Sequence, residues 1–226
     1  MAWRCSGATN AELIANLRSK EILHSDRVAK AMTTVDRANY VLDKEDAYED
    51  SPQSIGHGAT ISAPHMHGYA SEHLLPYLNP GAKVLDVGSG SGYLAAVLYH
   101  LVGEGGKVVG IDHIPELVDW SVENLKKDGL GKVLDSKEIE MIAGDGRLGY
   151  AAGGPYDAIH VGAAAPTVPP ALLEQLASPG RMFIPVGNFM QSIEQIDKDE
   201  NGNVTTKRIM AVRYVPLTDR DKQVDF

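Results

Sequence analysis

The segment VLDVGSGSG at positions 84–92 constrains the fold more than any other feature of the chain. A short apolar run, typical of a buried strand, ends in Gly88, Gly90 and Gly92, and a helical pattern begins directly afterwards. Glycines at a strand end let the backbone approach a ligand closely, and the first turn of the next helix offers free N–H groups. The segment therefore predicts a cofactor cleft at the carboxyl end of a strand.

The spacing of these glycines is G-x-G-x-G with Asp86 before it, which differs from the G-x-G-x-x-G that seats a pyrophosphate. It favours an S-adenosylmethionine site, although a bare glycine triplet also occurs in ordinary turns. The next predicted strand supports the ligand site, because it ends at Asp112, whose carboxylate can accept hydrogen bonds from both hydroxyls of a ribose. Asp145, between Gly144 and Gly146, fits either an acceptor for the adenine amino group or a plain turn.

Apolar runs alternate with helical patterns after Gly81, and this alternation predicts an α/β fold with a doubly wound, mostly parallel sheet. Asn201-Gly202 predicts a hairpin, which would give the sheet an antiparallel C-terminal edge. The predicted strands are 83–87, 108–111, 139–143, 158–161, 182–186, 193–197 and 209–215, and the predicted helices are 92–102 and 116–127.

The N-terminal part is predicted to contain two short helices between Asn10 and Val35, with Asn10 and Ser25 as N-caps. We interpret the whole chain as one methyltransferase-type domain in three parts. These parts are N-terminal helices and a loop (1–80), a cofactor-binding core (81–190), and C-terminal strands with a tail (191–226).

A stretch rich in Gly, Pro and Ser, 51–64, separates these helices from the core and is predicted to be an ordered functional loop. Ser62 is predicted to cap a helix that begins near Pro64 and runs to about Leu78. His65 and His67, two positions apart, point in different directions on such a helix and make a poor metal pair. We expect no metal.

The composition restricts the class of protein. With 226 residues and 43% hydrophobic content, the chain suits one globular domain, and its charge of −9 offers no general attraction to nucleic acid or anionic lipid. A single cysteine, Cys5, cannot form an intramolecular disulfide, which favours a reducing compartment. Neither a signal-peptide core nor a membrane-spanning apolar run is evident, and no heptad seam requires a partner. We therefore expect a cytoplasmic monomer.

Longer motifs identify a family. They are DSPQSIGHGATISAPHMH (50–67), LDVGSGSG (85–92), GIDH (110–113), GDGR (144–147), PYDAIHVGAAAP (155–166), IPVG (184–187) and YVPLTD (214–219). In these motifs the chain resembles protein-L-isoaspartate O-methyltransferases, most closely the animal cytosolic enzymes, over nearly its whole length. ATISAPHMH is highly specific, whereas the glycine loop is not.

The resemblance implies transfer of a methyl group from S-adenosyl-L-methionine, which becomes S-adenosyl-L-homocysteine. The acceptor would be the α-carboxylate of L-isoaspartyl residues in damaged proteins and peptides, with activity on D-aspartyl residues left open. It implies that Ser62 is the catalytic residue. The matched cofactor-binding positions are Ala59, Thr60, Ile61, Ser62, His67, Gly88, Ser91, Asp112, His113, Asp145, Gly146, Thr218 and Gln223.

Two stretches depart from the family pattern and leave substrate preference open. Residues 43–48 look longer than usual, and Gly187-Asn188-Phe189 lacks the glycine-rich loop common after IPVG. The small residues of HVGAAAP, 160–166, predict either backbone approachable by an extended substrate peptide or tight packing against a helix.

Simple chemistry agrees with a carboxylate acceptor. A carboxylate is ionised at neutral pH and can attack a sulfonium methyl without a strong general base. Positioning then dominates, and it can contribute roughly 7–11 kcal/mol. The alternatives are a small-molecule methyltransferase on the same cofactor domain, a binding module without turnover and, less favoured by the glycine spacing, an NAD-dependent dehydrogenase.

Overall fold

The computed structural model describes residues 5–223, so residues 1–4 and 224–226 of the predicted domain lie outside it. The helices are α1 (Asn10–Ser19), α2 (Asp26–Thr34), α3 (Pro64–Leu74), α4 (Tyr93–Val102), α5 (Pro115–Lys127), α6 (Gly131–Asp135) and α7 (Pro170–Gln175). The strands are β1 (Gln53–Gly56), β2 (Ala59–Ile61), β3 (Lys83–Val87), β4 (Lys107–Asp112), β5 (Ile139–Ala143), β6 (Tyr156–Val161), β7 (Leu176–Val186), β8 (Gln191–Lys198) and β9 (Val204–Val212).

Seven of these strands form one sheet in the order β5-β4-β3-β6-β7-β8-β9. The pairs from β5 to β7 are parallel, and the pairs β7–β8 and β8–β9 are antiparallel. The prediction of a mostly parallel sheet with an antiparallel edge is confirmed. The carboxyl ends of β3, β4 and β6 therefore meet at one edge of the sheet, where the glycine loop begins.

Apolar side chains cover both faces of the central strand β3. Val84 belongs to one buried cluster, which includes the helices before the sheet, whereas Leu85 and Val87 belong to the cluster on the other side. A parallel strand buried on both faces requires a continuous apolar run, which is the pattern at 84–87.

The caps of the first two helices differ from the prediction. Thr9, not Asn10, is the N-cap of α1, and its side chain accepts a hydrogen bond from the backbone N–H of Glu12 at 3.2 Å. The Asn10 side chain points inward instead and donates to three carbonyl oxygens at the end of α2, including that of Val35 at 3.1 Å. These carbonyls need donors because a helix end leaves them unpaired.

Ser25 does occupy the N-cap position of α2, but its side chain does not cap that helix. Its hydroxyl donates to Glu72 Oε2 at 2.6 Å, and Glu72 Oε1 accepts the backbone N–H groups of His24 and Ser25 at 2.9 Å. The Glu72 carboxylate of α3 thus accepts hydrogen bonds from the N–H groups at the start of α2 and connects the two helices.

The prediction that Ser62 caps α3 is wrong. Ala63 is the N-cap residue, no side chain caps this helix, and Pro64 stands in its first turn. The carbonyl oxygen of Ser62 accepts a hydrogen bond from Arg37 Nη2 at 2.9 Å, so Ser62 is held through its backbone and not through a capping side chain. The helix also ends at Leu74, where a short 3-10 turn replaces the predicted last turn.

The other differences concern the bounds of two strands and several short elements. β7 begins at Leu176 and not at 182, and β9 spans Val204–Val212 and not 209–215. The loop 51–64 contains the β1–β2 hairpin, and α6 and α7 are absent from the prediction. Asn201-Gly202 does form the β8–β9 turn, with Gly202 at a φ of +82°. No helix in the described range is long and apolar enough to cross a membrane.

Candidate active site

The glycine loop joins β3 to α4 through backbone that glycine adopts without strain. Gly88, Gly90 and Gly92 have φ angles of +70°, +49° and +83°. A Cβ at Gly90 would lie 3.0 Å from Ile55 Cδ1 and one at Gly92 3.1 Å from Ser121 Cβ, whereas one at Gly88 meets nothing closer than 3.8 Å. Gly88 therefore leaves open space at the strand end, and its N–H donates to the Ile111 carbonyl at 2.8 Å.

Two adjoining cavities open around this loop, with volumes of about 580 and 340 Å³ including their mouths. They share Thr60, Gly88, Gly90 and Gly162 in their walls, so one elongated ligand can extend through both. Of the predicted site residues, the first cavity has Ala59, Thr60, Gly88, Asp112, His113, Asp145, Gly146, Thr218 and Gln223 in its wall. The second has Thr60, Ile61, Ser62, His67, Gly88 and Ser91.

Asp112, at the end of β4, is the buried acid of the first cavity. Its Oδ2 accepts the N–H of Gly90 at 3.0 Å, and its Oδ1 accepts the N–H of Ile114 at 3.1 Å. Burial raises the pKa of this carboxyl, and the two backbone hydrogen bonds partly oppose that rise. Each oxygen keeps a further lone pair, so the carboxylate can still accept hydrogen bonds from a ligand.

The C-terminal segment closes one side of the first cavity. Gln223 Nε2 donates to the carbonyl oxygen of His57 at 2.7 Å, and Gln223 Oε1 is hydrogen-bonded to His113 Nε2. Gln223 therefore links the turn of the β1–β2 hairpin to the end of β4.

Asp145 is tied to the same segment by an arginine. Both of its carboxylate oxygens accept hydrogen bonds from Arg147, and Arg147 Nη2 also donates to Asp219 Oδ1 at 2.6 Å. These hydrogen bonds lower the pKa of Asp145. The residue thus connects the end of β5 to the chain that covers the cavity. Because its Oδ1 also accepts the backbone N–H of Arg147 at 2.9 Å, both of its oxygens are engaged by Arg147 within its own turn.

The second cavity contains a buried carboxylate with one free oxygen. Asp86 is 1% exposed, and its Oδ1 is paired with His160 Nδ1 at 2.7 Å. Its Oδ2 has no hydrogen-bond partner within residues 5–223, nor have Ser89 Oγ and Tyr93 Oη in the same wall. An unsatisfied buried polar group costs roughly 1–3 kcal/mol. The site is therefore suited to a ligand that carries hydrogen-bond donors and positive charge.

Arg37 is a residue of this region that the sequence analysis missed. It is fully buried behind the second cavity, with Nη2 bonded to the Ser62 carbonyl and Nη1 3.5 Å from His67 Nδ1. Burial lowers the pKa of Arg37 to about 10, so it stays charged at neutral pH, and it forms no ion pair with any described carboxylate. Burial and the nearby Arg37 lower the pKa of His67 well below its usual value. Arg37 is thus the local positive charge, and His67 is neutral.

Tyr214 is the second missed residue. Its side chain lies next to that of Ser62, and burial raises the pKa of Tyr214 to about 12, which the Ser62 contact partly offsets. The side-chain amide of Gln191 holds its backbone, accepting from Tyr214 N at 2.6 Å and donating to Tyr214 O at 3.1 Å. No local sequence signal connects positions 62, 191 and 214, because only the folded chain brings them together.

At Ala164 and Ala165 the backbone of HVGAAAP pairs with the C-terminal segment and with the end of β7, an arrangement that differs from both interpretations. Ala164 exchanges hydrogen bonds with Val215 O and Leu217 N at 2.8 Å, and Ala165 exchanges them with Pro185 O and Gly187 N at 3.0 and 2.9 Å. These backbone groups are occupied by the chain itself, so the prediction that they receive an extended peptide is wrong. Their small side chains instead let the C-terminal segment pack close to β6.

No group of three or more potential metal-ligating side chains was found among residues 5–223.

The chain is similar to proteins of one family over nearly its whole length. Residues 8–222 match the family model of protein-L-isoaspartate(D-aspartate) O-methyltransferases. The chain is 50% identical to the protein-L-isoaspartate O-methyltransferase of Caenorhabditis elegans, covering 99% of this chain and 98% of that one. It is 49% identical to protein-L-isoaspartate O-methyltransferase 1 of Arabidopsis thaliana, covering 95% and 94%.

A solved structure also superposes on this fold. It is a protein-L-isoaspartate O-methyltransferase of Plasmodium falciparum in complex with S-adenosyl-L-homocysteine. The TM-score is 0.87 at 34% identity, covering 94% of this chain and 99% of that one.

Proposed function

Because the chain belongs to the protein-L-isoaspartate(D-aspartate) O-methyltransferase family, we propose that its two cavities carry out the methylation of isoaspartyl carboxylates in damaged proteins. The donor is S-adenosyl-L-methionine, and the product S-adenosyl-L-homocysteine is the ligand of the solved relative. The observation that carries this assignment to particular residues is that the cavity of Asp112 and the cavity of Ser62 meet at Gly88.

The residues present fit this cofactor. S-adenosylmethionine supplies a methyl group on a positively charged sulfur. We assign the first cavity to its nucleoside end, where the free lone pairs of Asp112 accept the ribose hydroxyls. Asp86, whose Oδ2 has no hydrogen-bond partner among residues 5–223, lies in the wall of the second cavity and favours positive charge there. The proposed cofactor-binding residues are the thirteen predicted positions, all of which lie in the walls of the two cavities, with Ser62 as the catalytic residue.

The acceptor carboxylate is proposed to bind beside Ser62. It is ionised at neutral pH and needs no base, which agrees with a neutral His67. The chain has a formal charge of −9, so an anionic group needs local attraction, and the buried Arg37 supplies it. A buried charge is screened by salt much less than a surface charge. Ser62 then orients the carboxylate towards the methyl group by hydrogen bonding.

The test is methyl transfer to matched peptides. We expect radiolabelled methyl groups to enter an L-isoaspartyl peptide and not its aspartyl counterpart, as a base-labile ester. The labile ester suits repair, because its better leaving group favours closure to a succinimide, which hydrolyses partly to normal aspartate. Equal labelling of both peptides would contradict the assigned specificity. A D-aspartyl version of the same peptide tests whether D-aspartyl residues are also methylated.

Tyr214→Phe tests the side-chain contact between Tyr214 and Ser62. Loss of one neutral polar contact, worth about 1 kcal/mol, should lower kcat/KM for the isoaspartyl peptide roughly fivefold. Affinity for S-adenosylhomocysteine should stay the same, as measured by calorimetry. Tyr99→Phe is the matched control, since it removes a hydroxyl that donates to Glu138 at 3.0 Å and lines neither cavity. Equal losses in both variants would refute the positioning role.

We also propose that the protein is a cytoplasmic monomer. The location is supported by the single cysteine, which leaves Cys5 without an intramolecular disulfide partner. Sedimentation over a range of concentrations and fractionation of cells test the two parts of this proposal. The division of the chain at residues 80 and 190 also stays a prediction.

A further inference from the structure

The turn between β7 and β8 exposes two large apolar side chains side by side. Phe189 is 104% exposed and Met190 is 88% exposed, so neither contributes to the core. Other large apolar residues that are strongly exposed, Leu42, Leu148 and Val204, stand apart from one another along the described chain. Adjacent exposed apolar groups mark contact sites more often than scattered ones do. This is also the stretch that departs from the family's glycine-rich loop.

Hydrogen bonds connect this turn to the wall of the active site. The N–H of Gly187 donates to the Ala165 carbonyl at 2.9 Å. Ala165 closely follows residues that lie in the wall of the first cavity. Gln191, the residue after Met190, holds the backbone of Tyr214, whose side chain contacts that of Ser62. The turn is therefore connected through Gln191 and Tyr214 to the place proposed for the acceptor carboxylate.

We propose that Phe189 and Met190 bind apolar side chains that flank the isoaspartyl residue of a polypeptide substrate. The inference rests on the proposed function, since that function places a polypeptide at Ser62. Apolar contact is non-directional and therefore adds affinity without demanding one sequence, and methionine adapts its shape to varied partners. The expected preference is for damaged chains whose apolar residues are accessible, as they are in unfolded segments.

Peptides and a double variant test this preference. Phe189→Ser/Met190→Ser should fold normally, because the two side chains are exposed. The test uses pairs of isoaspartyl peptides in which one peptide carries leucine where the other carries serine. This position lies one to four residues from the isoaspartyl residue on either side, since each extended residue adds roughly 3.3–3.6 Å of reach. We expect KM for the best leucine peptide to rise about tenfold in the double variant, with kcat unchanged, and KM for its serine partner to change less than twofold.

A binding measurement separates the contact from the chemistry. Fluorescence anisotropy with labelled leucine peptide and saturating S-adenosylhomocysteine should show the same tenfold loss of affinity. Leu42→Ser/Val204→Ser is the control, because it removes two exposed apolar groups from other elements and should leave both peptides unaffected.

Two results would overturn the inference. One is an equal change of KM for leucine and serine peptides, and the other is a change in self-association of the double variant, which would assign the turn to a second copy of the chain. If the unaltered protein methylates neither peptide, the proposed function fails instead, so the two failures are distinguishable.

Discussion

Replacing Ser62 with alanine is expected to lower kcat/KM for an isoaspartyl peptide by about 10²-fold, while the free energy of unfolding falls by no more than about 1 kcal/mol through the lost contact with Tyr214. Removal of one positioned hydrogen-bond donor at a reacting group typically has an effect of this order. Loss of a capping serine costs about 1 kcal/mol of stability. Here Ala63 is the N-cap of α3 and no side chain caps the helix, so that cost is absent.

The measurement combines peptide kinetics, calorimetry with S-adenosylhomocysteine, and urea unfolding. Ser62→Thr keeps the hydroxyl and should recover much of the activity. Cofactor affinity should change less than threefold in both variants, since the hydroxyl is assigned to the acceptor carboxylate. Unchanged kcat/KM in Ser62→Ala would remove Ser62 from the reaction, and a parallel loss of cofactor affinity would assign it to binding alone.

The parts of the fold that could be predicted are those with a local signal. The strands β3 and β5 begin and end where the apolar pattern indicates. For β3 the reason is that a buried parallel strand needs a continuous apolar run, whereas β5 is an edge strand of which only Ile139 is buried. The glycine loop was equally clear, since its three positive φ angles require glycine. Asp112 could be predicted as a ligand-binding residue because it stands at the end of the neighbouring strand.

The parts that could not be predicted depend on contacts between distant segments. Thr9 and Asn10 are both good N-cap residues, and the choice between them is made by the carbonyls at the end of α2, which engage Asn10. Arg37 and Tyr214 reach Ser62 from 25 and 152 positions away, and neither lies in a motif with a catalytic pattern. Resemblance to the family implies the role of Ser62, whereas the contacts of Ser62 with Arg37 and Tyr214 are seen only in the folded structure.

Gly88→Ala is expected to weaken binding of S-adenosylhomocysteine by about tenfold to a hundredfold. Gly88 lies in the walls of both cavities at a φ of +70°, and its Cβ would enter the space where they meet. Steric overlap in a filled site typically costs 1–3 kcal/mol, and each 1.4 kcal/mol is a factor of ten in affinity. The left-handed backbone adds roughly 1–2 kcal/mol of destabilisation to the folded chain.

Gly81→Ala separates these two effects. Gly81 precedes β3 at a φ of +86°, an added Cβ there meets nothing within 4 Å, and the residue lines neither cavity. Both variants should therefore lose similar amounts of stability in urea unfolding, while only Gly88→Ala loses affinity in calorimetry. Equal affinities would mean that the ligand does not approach the β3 end closely, and the assignment of both cavities to one cofactor would then be wrong.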